Sequence, residues 1–87
     1  MQRTELSALK DRVSEVARKS AVADGLTDIV LEADRDNDGG DFLRIILKIK
    51  SLDRVSYKDL AALTTSIENA VGDIDERFPS VRFADAA

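Results

Sequence analysis

The chain has no cysteine, no histidine and no tryptophan among its 87 residues. Without cysteine no disulfide can staple the fold and no thiol chemistry is available. Without histidine as well, the usual ligands of zinc, copper and iron are missing. The commonest general base is gone too, and with it every Ser–His or Cys–His nucleophile pair. No glycine-rich phosphate loop is present. An enzyme made from this chain would rest on carboxylates, lysine or tyrosine alone, and no constellation of these stands out. The expectation is a non-enzymatic protein.

Other shortages narrow the partners. Aromatic residues make up 5% of the chain, too few for the stacking platforms that hold single-stranded nucleic acid. The net charge is −4, and an acidic surface repels phosphate backbones. Nucleic acid is therefore not expected as a partner, except through a ribosome. Apolar runs extend over only a few residues, far short of the roughly 20 that cross a bilayer. Met1-Gln2-Arg3-Thr4-Glu5 turns charged at once, unlike a signal peptide. These features lead us to expect a cytoplasmic protein with no membrane segment.

What is present reads as a single domain over residues 1–87. A chain of this size buries roughly 60–65% of its unfolded surface on folding. From about Thr4 to Ala23, Leu6, Leu9, Val13 and Val16 recur at helical spacing, while Lys10, Asp11, Glu15, Arg18 and Lys19 take the other side. Thr4 is the expected N-cap, and Asp24-Gly25 the stop, with glycine offering a left-handed C-cap. Leu26 to Ala33 alternates, with Ile29, Leu31 and Ala33 on one face and Thr27, Val30 and Glu32 on the other. Phe42 to Lys50 alternates more sharply. Leu43, Ile45, Leu47 and Ile49 share one face; Phe42, Arg44, Ile46, Lys48 and Lys50 share the other. The Asp/Asn/Gly cluster between the two segments predicts an antiparallel hairpin.

Ser56 then looks like an N-cap with Asp59 in capping-box position, and Val55 and Leu60 have the spacing of a hydrophobic staple. Leu60, Leu63, Ile67, Ala70, Val71 and Ile74 continue a helical stripe. Pro79 forces an exit at or before Phe78. Val81 and Phe83 alternate with Arg82 in a short last strand, and Ala84 to Ala87 reads as a frayed tail. The order is helix–strand–strand–helix–strand. A right-handed crossover places the last strand parallel to the second. The expected fold is an α+β two-layer sandwich, a three-stranded mixed sheet with both helices on one face. The other face stays open, and Phe42, Arg44, Ile46, Lys48 and Lys50 on it form the candidate interaction face for a homodimer or a protein partner.

Asp34-x-Asp36-x-Asp38-Gly39 matches the first half of a calcium-binding EF-hand loop, but the twelfth position, where a bidentate Glu belongs, is Ile45. One reading is a hairpin turn rich in turn-forming residues. The other is a weak Ca²⁺ or Mg²⁺ site at Asp34, Asp36 and Asp38; no other cofactor is expected. Ser56, Tyr57 and Lys58 bring a hydroxyl, a phenol and an amine to a helix start, where capping already accounts for Ser56. Asp73, Asp75 and Glu76 read as a solvated charged face. Arg44, Lys48 and Lys50 form the only basic stripe, which either meets an acidic partner or RNA phosphates or keeps an exposed face soluble.

The stretch from Phe42 to Phe83 resembles the cytoplasmic C-terminal domain of cation-diffusion-facilitator transporters. The matching pieces are Leu43-Arg44-Ile45-Ile46-Leu47, Ser56, Ile67-Glu68 and Glu76-Arg77-Phe78-Pro79-Ser80-Val81. The resemblance implies this fold and a dimer. That family's metal ligands are largely histidines, so its metal and transport roles do not carry over to a histidine-free chain without a transmembrane region. The order of elements is also similar to the N-terminal domain of the ribosome maturation factor that binds the small subunit. The Ser-Ser-Pro-Gly signature following that domain's third strand is absent here. That likeness underlies the alternative of a ribosome- or RNA-associated accessory factor.

Overall fold

In a computed structural model, which describes residues 2–86, the chain runs α1 (Leu6–Arg18), β1 (Leu26–Arg35), β2 (Asp41–Ile49), α2 (Tyr57–Gly72), β3 (Phe78–Asp85). Single 3₁₀ turns at Ala23–Gly25 and Leu52–Arg54 join helix to strand and strand to helix. The sheet order is β1-β2-β3, with β1 antiparallel and β3 parallel to the central β2. Period-two alternation in β2 decides the layering. Leu43, Ile45, Leu47 and Ile49 are all fully buried, against Leu9, Val13 and Ala17 of α1 and Leu63, Ile67 and Val71 of α2. All of these β2 side chains share one face, so both helices cover that face and the expected α+β sandwich is the one found.

Several local expectations are corrected. Thr4 does not cap α1; Glu5 occupies the N-cap without a side-chain bond. The Thr4 hydroxyl instead donates to the Ile74 carbonyl, and its N–H donates to Asp75 Oδ2 at 2.8 Å. The helix also ends at Arg18 rather than near Ala23. There the Ser20 hydroxyl donates to the Ala17 carbonyl (2.6 Å) and accepts the Val22 N–H (3.3 Å), while Val22 turns into the core. Gly25 is not a left-handed cap, because among the described glycines only Gly39 has positive φ. A Cβ at Gly25 would instead meet Ile49 Cγ2 and the Lys50 carbonyl, each at 3.3 Å. The β1–β2 register shifts between Leu26 and Asp28, beside Thr27, whose hydroxyl donates to the Lys48 carbonyl (3.1 Å).

At α2, Ser56 is the cap, its Oγ accepting the Lys58 N–H at 3.2 Å. Val55 and Leu60 both pack on the core, as the staple spacing predicts. The last strand is longer than the alternation of Val81 and Phe83 suggests. Ala84 and Asp85 belong to it, and the Ala86 N–H donates to the Ile49 carbonyl (3.1 Å). Of the tail, only Ala87 lies outside the described residues. Pro79 sits in β3 opposite Leu43, on an edge strand, where a missing N–H is tolerated.

Asp75 is the largest departure. It is 5% exposed, not part of a solvated face. Its carboxylate accepts from Arg77 Nε (2.9 Å), Arg77 NH2 (2.8 Å), the Arg77 N–H (2.9 Å) and the Thr4 N–H (2.8 Å). Arg77 NH2 also donates to the Thr4 carbonyl at 3.0 Å. Glu76 holds Arg3 Nε at 2.9 Å, and Arg3 NH2 reaches Asp41 at 2.7 Å. The chain start is thereby tied to the α2–β3 turn and to the start of β2. The Arg77 guanidinium, with the two backbone N–H donors, holds the Asp75 carboxyl well below the ordinary carboxylate range, against the opposing effect of burial.

Two outcomes follow for stability. Truncating the fully buried Ile67 to alanine should cost about 2–5 kcal/mol by urea denaturation, since it removes apolar contact and leaves a cavity. Asp75→Ala should cost about 3 kcal/mol, because it strands a guanidinium and a backbone donor away from water. A depressed folded pKa stabilises fully above the unfolded value of about 3.9 and progressively less as pH falls below it. Wild type should therefore lose stability on acidification through pH 4 more steeply than Asp75→Ala, as read from urea midpoints between pH 7 and pH 3.

Candidate interaction face

Because Leu43, Ile45, Leu47 and Ile49 point under the helices, Phe42, Arg44, Ile46 and Lys48 point the other way. Register adds their neighbours from the outer strands, in four rows across the sheet. Asp34, Phe42 and Phe78 form the first, and Glu32, Arg44 and Ser80 the second. Val30, Ile46 and Arg82 form the third, and Asp28, Lys48 and Ala84 the last. Two apolar islands result. Val30 and Ile46 occupy the middle, both half-buried. Phe42 and Phe78 occupy one end, where Phe78 is 64% exposed.

The charges are sorted by strand. Asp28, Glu32 and Asp34 line β1, whereas Arg44 and Lys48 lie on β2 and Arg82 on β3. One pair is closed within the chain, Arg44 NH2 to Asp34 Oδ2 at 2.8 Å, and the same guanidinium carbon lies 5.4 Å from the centroid of the Phe42 ring. The Asp34 carboxyl is held below its ordinary range, first by the Arg35 N–H and then by Arg44. Among the described residues, Asp28, Glu32, Lys48 and Arg82 have no ion-pair partner. The expected face is therefore assembled for Phe42, Arg44, Ile46 and Lys48. Lys50 is exposed but follows the last residue of β2, where its N–H donates to the Gly25 carbonyl at 2.8 Å.

The aspartates of the half-motif go separate ways. Asp34 lies within β1 and is engaged by Arg44. Asp36 Oδ1 accepts the N–H groups of Asp38 (2.9 Å) and Gly40 (2.8 Å). The Asp36 N–H donates to the Gly40 carbonyl (2.9 Å), and Gly39 supplies a φ of 82°. This is an Asx-type turn, in which the carboxylate organises backbone amides. Among the described residues, no group of three or more His, Cys, Asp or Glu side chains is placed to hold a metal ion. Ser56, Tyr57 and Lys58 do not converge either. Ser56 is the helix cap, and Tyr57 is 86% exposed.

Reading the sequence strand by strand overlooked Val30, Glu32, Phe78 and Arg82 as parts of this face. The signal that finds them is the pairing register, which places Arg82 beside Ile46 and Phe78 beside Phe42.

No protein-family model matches the sequence, and no curated protein matches it. Among solved structures the fold is similar to that of the MamM C-terminal domain, the cytoplasmic domain of a cation-diffusion-facilitator transporter. One variant of that domain is 16% identical, with a TM-score of 0.56 over 95% of this chain and 100% of that one. A copper form is 15% identical, with a TM-score of 0.55 over 95% and 100% of the two chains. A zinc form is 14% identical, with a TM-score of 0.55 over 97% and 89%. At these identities the likeness is one of fold. None of the described helices is long and apolar enough to cross a membrane.

Proposed function

We propose that this chain is a non-enzymatic, cytoplasmic protein-interaction module that pairs, with a second copy or another protein, through the open face of its sheet. The observation that carries the reading is the apolar set Val30, Phe42, Ile46 and Phe78 on the face that no helix covers, on a sheet whose central strand is fully buried by the helices on its opposite face. An apolar patch rimmed by charge on a small protein is a usual mark of an interaction surface. The likeness in fold to a transporter's cytoplasmic domain supports a role in pairing rather than catalysis.

The same layout weighs between the alternatives. A ribosome- or RNA-associated role would use Arg44, Lys48 and Lys50, yet Arg44 is engaged by Asp34 and the stripe runs beside the β1 carboxylates. A phosphate backbone meets a mixed surface there, and a protein partner suits it better. Cation binding at Asp34, Asp36 and Asp38 would require the ion to displace Arg44 and the amides that Asp36 already holds.

Sedimentation velocity at micromolar concentration tests the leading reading. Wild type should run as a dimer, or as a complex with its partner where one is supplied. Ile46→Lys should run as a monomer with its melting temperature unchanged within a few degrees, since Ile46 lies outside the core. A wild-type monomer that also shows no partner binding would contradict the reading, as would an Ile46→Lys protein that pairs as wild type does.

A further inference from the structure

The charges left unpaired on the open face discriminate between ways of covering it. We infer that the occupant is a second copy of this chain, stacked about a two-fold axis running along β2, so that Arg82 of each copy sits between Asp28 and Glu32 of the other. This rests on the reading of the open face as the interaction surface.

Two sheets stacked face to face lie about 10 Å apart with their strands roughly aligned. A two-fold axis in the plane between them then has two simple settings. If it runs across the strands, each β1 lies over the other β1. The row of Asp28, Glu32 and Asp34 would then face its own copy, carboxylate over carboxylate, and the two of these on each side that have no ion pair among the described residues, Asp28 and Glu32, oppose that arrangement. If the axis runs along β2, each β1 lies over the partner's β3 and Ile46 lies over the partner's Ile46. Arg82 is level with Val30 and Ile46 in the register, so it comes to lie over the partner's Val30. Asp28 and Glu32 flank that Val30 along β1, each two residues away and so about 6.6 Å along the strand.

The second setting answers several observations together. Arg82 is exposed and has no ion pair among the described residues, and the same holds for Asp28 and Glu32. Arg44 and Lys48 would each lie near their own copy across the axis; Arg44 is neutralised within its chain by Asp34, and Lys48, in the last row of the face, lies beside Asp28. The exposed Phe78 would lie over the partner's β1 end, beside the partner's Phe42. The face carries three acidic and three basic side chains (Asp28, Glu32, Asp34 against Arg44, Lys48, Arg82), so two copies meet without net repulsion.

A charge exchange tests this on the full chain. Arg82→Glu alone should weaken self-association at least tenfold by sedimentation equilibrium, because each introduced carboxylate would face Asp28 and Glu32. The neutral Arg82→Gln should weaken it less. Glu32→Lys alone should also weaken it. Neither side chain is held by an ion pair among the described residues, so neither change should alter the far-ultraviolet circular dichroism, and the thermal midpoint should fall no further than it does in Ile46→Lys, by the loss of pairing alone. Mixing Arg82→Glu with Glu32→Lys should restore pairing, as a heterodimer seen by native mass spectrometry. Wild-type pairing that Ile46→Lys abolishes but Arg82→Glu leaves intact would overturn this stacking while leaving the open face as the interface. Failure of the mixture to exceed either variant alone would overturn it as well. A wild type that stays monomeric would overturn both the stacking and the second copy as occupant.

Discussion

The rest of the structure depends on the burial of one face of β2. Leu43, Ile45, Leu47 and Ile49 have no exposed surface, and every other element is placed by its relation to that row. β1 and β3 pair with its two edges, and α1 and α2 lie across it. A strand's side-chain period of two then has an unavoidable consequence. Burying one set of residues completely presents the alternate set, Phe42, Arg44, Ile46 and Lys48, to whatever lies on the far side. The core and the candidate interaction face are two outcomes of a single constraint.

The far face is neither a plain solvated surface nor a second core. Its apolar residues are grouped rather than scattered, and its charges are segregated by strand. Segregation of that kind is poor at satisfying itself within one chain, because among the described residues of this face only Arg44 and Asp34 come close enough to pair. It is well suited to being satisfied between chains, where specificity arises from the cost of misaligned like charges more than from the strength of any one bridge. At the other end of the molecule the opposite solution is used. Asp75, Arg77 and Thr4 form a buried network whose hydrogen bonds close within the chain, and that network fixes where the first helix begins.

The element order and the layering were legible because they rest on periodicity. Leu9, Val13 and Ala17 at helical spacing, and the strict alternation through β2, each point to one arrangement. Features that depend on contacts distant in sequence were not legible. Thr4 has the chemistry of a cap, but its hydroxyl and amide are claimed by Ile74 and by Asp75, 71 residues on. Asp75 sits between two other acidic residues and reads as solvated, because nothing local shows that Arg77 and the chain start enclose it. Gly25 is where a C-cap glycine belongs by sequence, yet the close approach of Ile49 and Lys50 accounts for it. The interaction face was half legible. Alternation identified the β2 residues, whereas Arg82, Glu32 and Phe78 join them only through register across strands.

If function resides on the open face of the sheet, that face is covered when the chain pairs, and NMR of wild type at about 100 μM with a soluble paramagnetic relaxation agent reads this out. The resonances of Val30, Phe42, Ile46, Phe78 and Arg82 should be protected from the agent, while those of Lys19, Ala62 and Ser66 on the helical side are attenuated. Attenuation of the open face to the same degree, or protection confined to the helical side, would be the opposite result.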